Sequence, residues 1–319
     1  MKKIFVAVMA MAAFAACSTE EQIAAPKGQA IAFGDAFVDN ATKAIYEGGA
    51  VPLQFTVWGN VAGKSSSDIV ALYGDSGALV KGSGVVETLY TCDVTRYWTP
   101  SCDFNFAAIV NGSAKTVVDG MPTVISYTAA GDNDLLYASA TAETDAQGTP
   151  SGTGTATIAG ATTPVVAFTF NHLLSRIAFM YTVAADVDSA YTYNVTNVKV
   201  AGGYKTGVCT PEGVWSEQTG TMPELTFADI ENDAFVIIPG APALTISFTA
   251  EVVFGGKVIS TKDYTKTLNT DADSDADDFT FAKNTAYSFN VVLPKPGEEI
   301  MFSITTVDNF GTGSEVNVQ

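Results

Sequence analysis

The 319-residue sequence predicts an all-β protein made of antiparallel sandwiches, and three observations carry that expectation. Apolar and polar residues alternate with a period of two, and no stretch beyond the N-terminal leader sustains a helical period. Clusters of Gly, Asn, Asp and Pro punctuate the alternating runs at Gly48-Gly49, Gly74-Asp75, Gly131 to Asp134, Gly202-Gly203, Pro239-Gly240 and Gly255-Gly256. Charged residues make up only 16% of the chain, so its polar surface must come mostly from Thr, Ser, Asn and Gly, which suits strands better than solvated helices. Strands with one wet face and short turns pack as sandwiches of antiparallel sheets. The length suggests two such domains.

The charge balance excludes one class of partner. Sixteen Lys and Arg stand against 34 Asp and Glu, a formal net charge of -18. No nucleic acid is expected as a partner, because that needs a basic face to displace phosphate counterions. One His and four Cys leave little material for a His- or Cys-rich metal site, and no cofactor is expected.

Residues 1–16 read as a signal peptide. Lys2 and Lys3 precede an apolar run from Ile4 to Ala16, shorter than the ~20 residues a spanning helix needs. The run ends in Phe14-Ala15-Ala16-Cys17, which resembles the lipobox of a bacterial lipoprotein precursor. That resemblance implies lipidation on the Cys17 sulfur, a lipidated tether over 17–28 and a stable anchor if two or more acyl chains are attached. Loss of Lys2 and Lys3 with the leader takes the net charge from -18 to -20.

The strands follow in order. Leu53, Phe55 and Val57 are expected on one face, with Gln54, Thr56 and Trp58 on the other. Ile177, Phe179, Tyr181 and Val183 repeat the pattern. Leu244 to Phe254 makes the longest stripe, and Tyr287, Phe289, Val291 and Leu293 make another. The Thr-, Gly- and Ala-rich stretch 141–163 is either a pair of exposed hairpin strands or a flexible connection. A boundary near Pro164 then gives an N-terminal sandwich over 29–164 and a C-terminal one over 165–319, each of ordinary domain size.

Catalytic chemistry is hard to find. His172 is the sole candidate base for a Ser/His/Asp device, and no nucleophile elbow or phosphate-cradling loop accompanies it, so it reads as a packed structural histidine at the domain junction. Cys92 and Cys102 flank Arg96 to Pro100 and form a candidate disulfide. Cys209 reads as a small buried hydrophobe. Asp271, Asp273 and Asp275 form a weak calcium candidate without the glycine and distal Glu of an EF-hand, and their plain reading is a solvated loop. The chain is not expected to be an enzyme.

Several segments together resemble the fimbrillin family, the type V pilus subunits of Bacteroidales. They are the lipobox leader, Ile31–Ala44 followed by Phe55–Gly59, Arg96–Pro100 followed by Phe104–Ala108, Phe170–Phe179, and the tail Ile300–Ile304. The resemblance implies two tandem transthyretin-like β-sandwiches, export to the cell surface as an outer-membrane lipoprotein precursor, and removal of the lipid-bearing N-terminal piece by a trypsin-like protease. Ser18 to Gln22 resembles the acidic surface-export tract of such precursors, and also suits a solvated tether. The matching cleavage position is Lys43, followed by Ala44, where relatives often carry Arg; a protease strict for Arg would act slowly here.

The resemblance also implies assembly by donor-strand exchange with other pilus subunits. Ile31, Phe33 and Phe37 mark the first strand, within 29–43, that cleavage would displace. Its departure would open an apolar groove with unpaired backbone groups. The candidate donor tail is 298–319, with Ile300, Phe302 and Ile304 alternating with polar neighbours, and Val316 and Val318 beyond a Gly311 to Gly313 turn. Pro294 to Gly297 precedes it and would let it swing. Burying three large apolar side chains is worth on the order of 5–9 kcal/mol before ordering costs. Such a head-to-tail joint does not close, so it yields a filament. The plainer reading of the tail is a final strand of its own domain. The functional expectation is a structural or tip subunit of an adhesive pilus. The alternative is a non-polymerising surface lipoprotein that acts as a pilus anchor or a glycan-binding module.

Overall fold

The computed structural model describes residues 28–38, 52–85, 88–158, 160–162, 164–228, 234–268, 279–308 and 312–313. Among them every regular element is a β-strand. The first half supplies β1 Phe33–Val38, β2 Gln54–Gly63, β3 Ile69–Ala71, β4 Ala78–Lys81, β5 Leu89–Cys92 and β6 Cys102–Val110. Then come β7 Ser113–Val118, β8 Met121–Thr128, β9 Leu136–Thr144, β10 Pro150–Ser151, β11 Thr155–Ala156 and β12 Val165–His172. The second half supplies β13 Ser175–Val183, β14 Tyr191–Gly202, β15 Tyr204–Cys209, β16 Trp215–Thr221, β17 Leu225–Thr226 and β18 Ala234–Ile237. It ends with β19 Leu244–Phe254, β20 Lys257–Leu268, β21 Thr285–Leu293, β22 Met301–Asp308 and β23 Thr312–Gly313.

The first half closes on itself. Its strands run β9-β6-β2-β4-β5-β1-β12, and β12 pairs back to β9 through Asn171↔Tyr137 and His172↔Leu136. Closure removes the open edges that would otherwise invite a foreign strand. Alternation fills the interior: Phe55 and Val57 of β2, Phe104 and Phe106 of β6, and Phe168 and Phe170 of β12 form one core with Phe33 and Trp98.

The second half is a sandwich. One sheet has the order β18-β13-β21-β22-β23 and the other β17-β14-β19-β20. Between them lie Ile177, Phe179, Leu244, Ile246, Phe248, Tyr287, Phe289, Val291 and Leu293, as the alternating stripes predict. Those stripes lose their hold at their far ends, where Val183 and Phe254 are exposed.

A third sheet ties the halves together. Its order is β16-β15-β8-β7, with the β7–β8 hairpin from the first half and the β15–β16 hairpin from the second. The first hairpin turns at Asp119-Gly120, both with positive φ (51° and 75°), the arrangement that matches strand twist in a two-residue turn. A side chain at Gly120 would meet Ala71 Cβ at 2.8 Å and the Gly59 carbonyl at 2.9 Å, so the turn can lie against β2 only with glycine there. Ile125 and Tyr127 of β8 pack with Cys209 of β15 and with Trp58 and Ile109 from the outer face of the ring.

Three sequence expectations change, and one pair of alternatives is narrowed to one. Trp58 is buried although it alternates with Phe55 and Val57, because the shared sheet covers the second face of β2; Leu53, expected inside, precedes the strand and is 63% exposed. The strand at Val165–His172 belongs to the ring, so the change of sheet falls at Leu173-Leu174 and not at Pro164. Thr141 to Thr144 extend β9, and β10 and β11 pair with β9 and β12, which makes this stretch hairpin-like strands. The sheets are not purely antiparallel: β1 runs parallel to β12 and β13 parallel to β21. Both partners are far apart in sequence, which leaves room for the long crossover that a parallel pair requires.

Candidate assembly site

The segment 29–38 is held on both sides by backbone bonds. On one side Trp98 N donates to the Gln29 carbonyl at 2.9 Å and Ile31 N to the Arg96 carbonyl at 2.8 Å. Phe33 and Gly34 then pair with Tyr90 and Leu89 of β5. On the other side Val166 N donates to the Ala32 carbonyl at 2.8 Å, and β1 runs along β12 from Phe33↔Val166 to Val38↔Phe170.

Side chains of this segment reach the core of the ring. Ile31 is buried, and Phe33 is 1% exposed. The Phe33 ring stacks on Phe168 at 6.1 Å between centroids and meets Phe55 and Phe106 edge-on at 6.5 and 6.1 Å. Ala36 is buried as well, because the ladder slips between Gly34 and Phe37 and breaks the simple alternation. Phe37 lies in the strand, and its side chain is outside the described residues. At Gly34 a Cβ would come within 2.7 Å of Ile158 Cδ1 and 3.1 Å of Val165 Cγ2. Gly34→Val should therefore cost about 1–3 kcal/mol by overpacking, read as a lower midpoint in denaturant.

The tail is a strand of its own half. β22 pairs with β21 from Val292↔Met301 to Ala286↔Val307, and among the described residues only the two-residue β23 lies beyond it. Ile300 and Phe302 are half-buried against the second core, with Phe302 5.9 Å from Phe289 between ring centroids. Met301, on the opposite face, is 65% exposed. Ahead of the tail the chain is pinned: Tyr193 donates to the Pro294 carbonyl, and Lys295 Nζ lies 2.6 Å from Asp186. A turn closed by Glu298 N on the Lys295 carbonyl follows, with Gly297 at φ 96°. The plainer reading of the tail thus describes its pairing in a single chain. Ile304 lies in β22 with its side chain outside the described residues, as are Val316 and Val318. Cys17, Lys43, Ala44, Asp271, Asp273 and Asp275 also fall outside them.

The candidate disulfide is overturned. The Cys92 thiol donates to the Val94 carbonyl and the Cys102 thiol to the Pro100 carbonyl, and no bond joins the two sulfurs. Cys92 pairs with Val80 on β4, whereas Cys102 pairs with Gly63 at the end of β2, so the loop between them carries the two cysteines to different neighbours. Cys209 is buried, and burial pushes its thiol up to about 12, an unreactive state.

His172 sits at the junction, as expected, but its partner was hidden. Its Nδ1 pairs with Asp134 Oδ2, with both side chains essentially inaccessible. Burial pushes the Asp134 carboxyl up, and the hydrogen bond from His172 opposes that. Asp134 belongs to the Gly131 to Asp134 cluster, whose composition signals only a turn. Nearby, Leu173 N donates to the Leu135 carbonyl and Trp215 Nε1 to the Leu173 carbonyl, which fastens the end of β12 to β9 on one side and to the shared sheet on the other. Beside the pair a pocket of about 370 Å³ opens between the halves.

Comparison with known proteins agrees with this architecture. A family model described as fimbrillin-like matches residues 80–308. The chain superposes on a crystal structure of a fimbrial protein from Bacteroides vulgatus with a TM-score of 0.53 at 12% identity, covering 88% of this chain and 99% of that one. It also superposes on a candidate cell adhesion protein from Bacteroides uniformis with a TM-score of 0.50 at 17% identity, covering 90% of this chain and all of the other. At such identities the likeness is one of fold. No curated protein sequence matches the chain.

Proposed function

This chain belongs to the fimbrillin-like family, and on that premise we propose that it is a subunit of a cell-surface pilus with a role in adhesion, assembled by strand exchange. It is made as a lipoprotein through Cys17 and cut after Lys43, so that the piece bearing β1 departs. Its partners are other pilus subunits, and the processing enzyme is a trypsin-like protease.

The observation that carries this reading is the seat of β1. It lies between β5 and β12 in a closed ring and places Phe33 among Phe55, Phe106 and Phe168. Withdrawal would leave two strands with unpaired edges and an aromatic slot between them, a template for an incoming strand of alternating apolar residues. The tail has that alternation, and its strands β22 and β23 end their sheet among the described residues, so the tail can peel away from β21 without breaking a ladder between other strands. The contact would be heterologous, and copies would add without closing.

N-terminal sequencing of material sheared from the cell surface tests the proposal. A start at Ala44 is the expected result. A start at lipidated Cys17 would instead support a non-polymerising anchor or binding module, a reading to which the intramolecular pairing of β22 lends some weight.

A further inference from the structure

We propose that the pocket between the two halves is a binding site for a neutral, hydroxylated ring such as a hexose or N-acetylhexosamine unit. Its walls come from four separate elements. Tyr137 and Ser139 stand on β9, Asn171 on β12, Glu212 on the turn between β15 and β16, and Lys283 and Asn284 on the turn before β21. At about 370 Å³ it is at the small end of the roughly 300–1,000 Å³ usual for small-molecule sites, and it lies at an interface between structural units, where such sites concentrate.

The chemistry of the wall selects the ligand. Sugar hydroxyls both donate and accept. The wall presents two carboxamides and a hydroxyl that do both, a carboxylate that only accepts and an ammonium that only donates. The Tyr137 ring adds an apolar face with a polar tip, suited to a ring that is C–H on its faces and O–H at its rim.

Charge selects further. Glu212 and Lys283 balance each other in the wall, and the chain as a whole carries -18, so an anionic ligand gains nothing here. The Glu212 carboxyl is held below its usual range by a hydrogen bond from the Thr210 side chain and, to a smaller extent, by the charge of Lys283. It stays an ionised acceptor under ordinary conditions.

Asn284 contributes an acceptor that has no partner among the described residues. Its Oδ1 is buried and accepts no hydrogen bond from the described residues, although the backbone of the residue is fixed by its N–H on the Leu174 carbonyl at 2.8 Å. Buried acceptors are rarely orphaned unless a ligand or function accounts for them. A ligand hydroxyl in the pocket that Asn284 lines would be a donor for this acceptor.

The inference does not depend on polymerisation, because none of the wall residues belongs to β1 or to the tail. Saturation-transfer NMR on the full-length chain in detergent tests it, with free glucose, galactose, N-acetylglucosamine and N-acetylgalactosamine as probes and N-acetylneuraminic acid as the anionic comparator. At least one neutral sugar should show transfer, weakened tenfold or more by Asn284→Gly and by Glu212→Ala. Asn284→Gly keeps the backbone at its positive φ of 53° and removes only the carboxamide; Glu212 is exposed, so both variants should melt like the parent. Absence of transfer from all four neutral sugars would overturn the inference. So would equal transfer in parent and variants, or preference for the anionic sugar.

Discussion

Phe33→Ala should lower the stability of the unprocessed chain by about 3–5 kcal/mol and leave the stability of assembled fibres unchanged. The first part follows from packing. Phe33 is 1% exposed and in ring contact with three other phenylalanines of the core, and truncating such a side chain loses both transfer energy and the filling of a cavity. The second part follows from the proposed processing, because the strand that bears Phe33 is absent from the fibre. Urea melts of intact chain and heat dissociation of sheared fibres read the two halves of the prediction. Equal weakening of both would mean that β1 stays in place, and strand exchange through this slot would be ruled out.

Deleting residues 300–319 should abolish polymers and leave a folded monomer. Among the described residues β22 is followed in its sheet only by the short β23, which the deletion also removes, so no ladder between remaining strands is broken. The closed ring, the shared sheet and the sheet containing β19 keep their pairing. What goes is the half-burial of Ile300 and Phe302 against the second core, worth roughly 2–4 kcal/mol for two partly buried side chains. Circular dichroism should therefore show a β-protein with a lower midpoint, and size-exclusion chromatography a monomer under conditions where the parent forms ladders. Global unfolding of the truncated chain, or polymers that persist, would count against donation by the tail.

Much of the fold was legible because strand periodicity is local. A period of two needs only neighbouring residues to appear, and the stripes at Ile177–Phe179, Leu244–Ala250 and Tyr287–Leu293 all turned their apolar side inward. The same locality explains the errors. Trp58 stands on the face that alternation reserves for solvent, and it is buried because β8, some seventy residues later, helps cover that face. Pro164 resembles a boundary by composition, yet the strand after it returns to complete the ring. Cys92 and Cys102 are close in sequence but belong to strands with different neighbours. Asp134 sat in a turn signal, and nothing in its surroundings indicated a buried histidine thirty-eight positions away.

By itself, then, the sequence determined that this chain folds as strands, that it is strongly acidic overall, and that its start and tail resemble those of fimbrillins. These are properties of composition, period and short motifs. Tertiary structure alone decided that the first half is a closed ring, that a sheet woven from both halves joins it to the second, and that β1 is an interior strand while β22 lies near an edge. It also decided that a polar pocket opens beside a buried Asp–His pair. The reason is the range of the interactions. Which strand pairs with which is fixed by burial and backbone satisfaction summed over the whole chain, and no local window of sequence contains that sum.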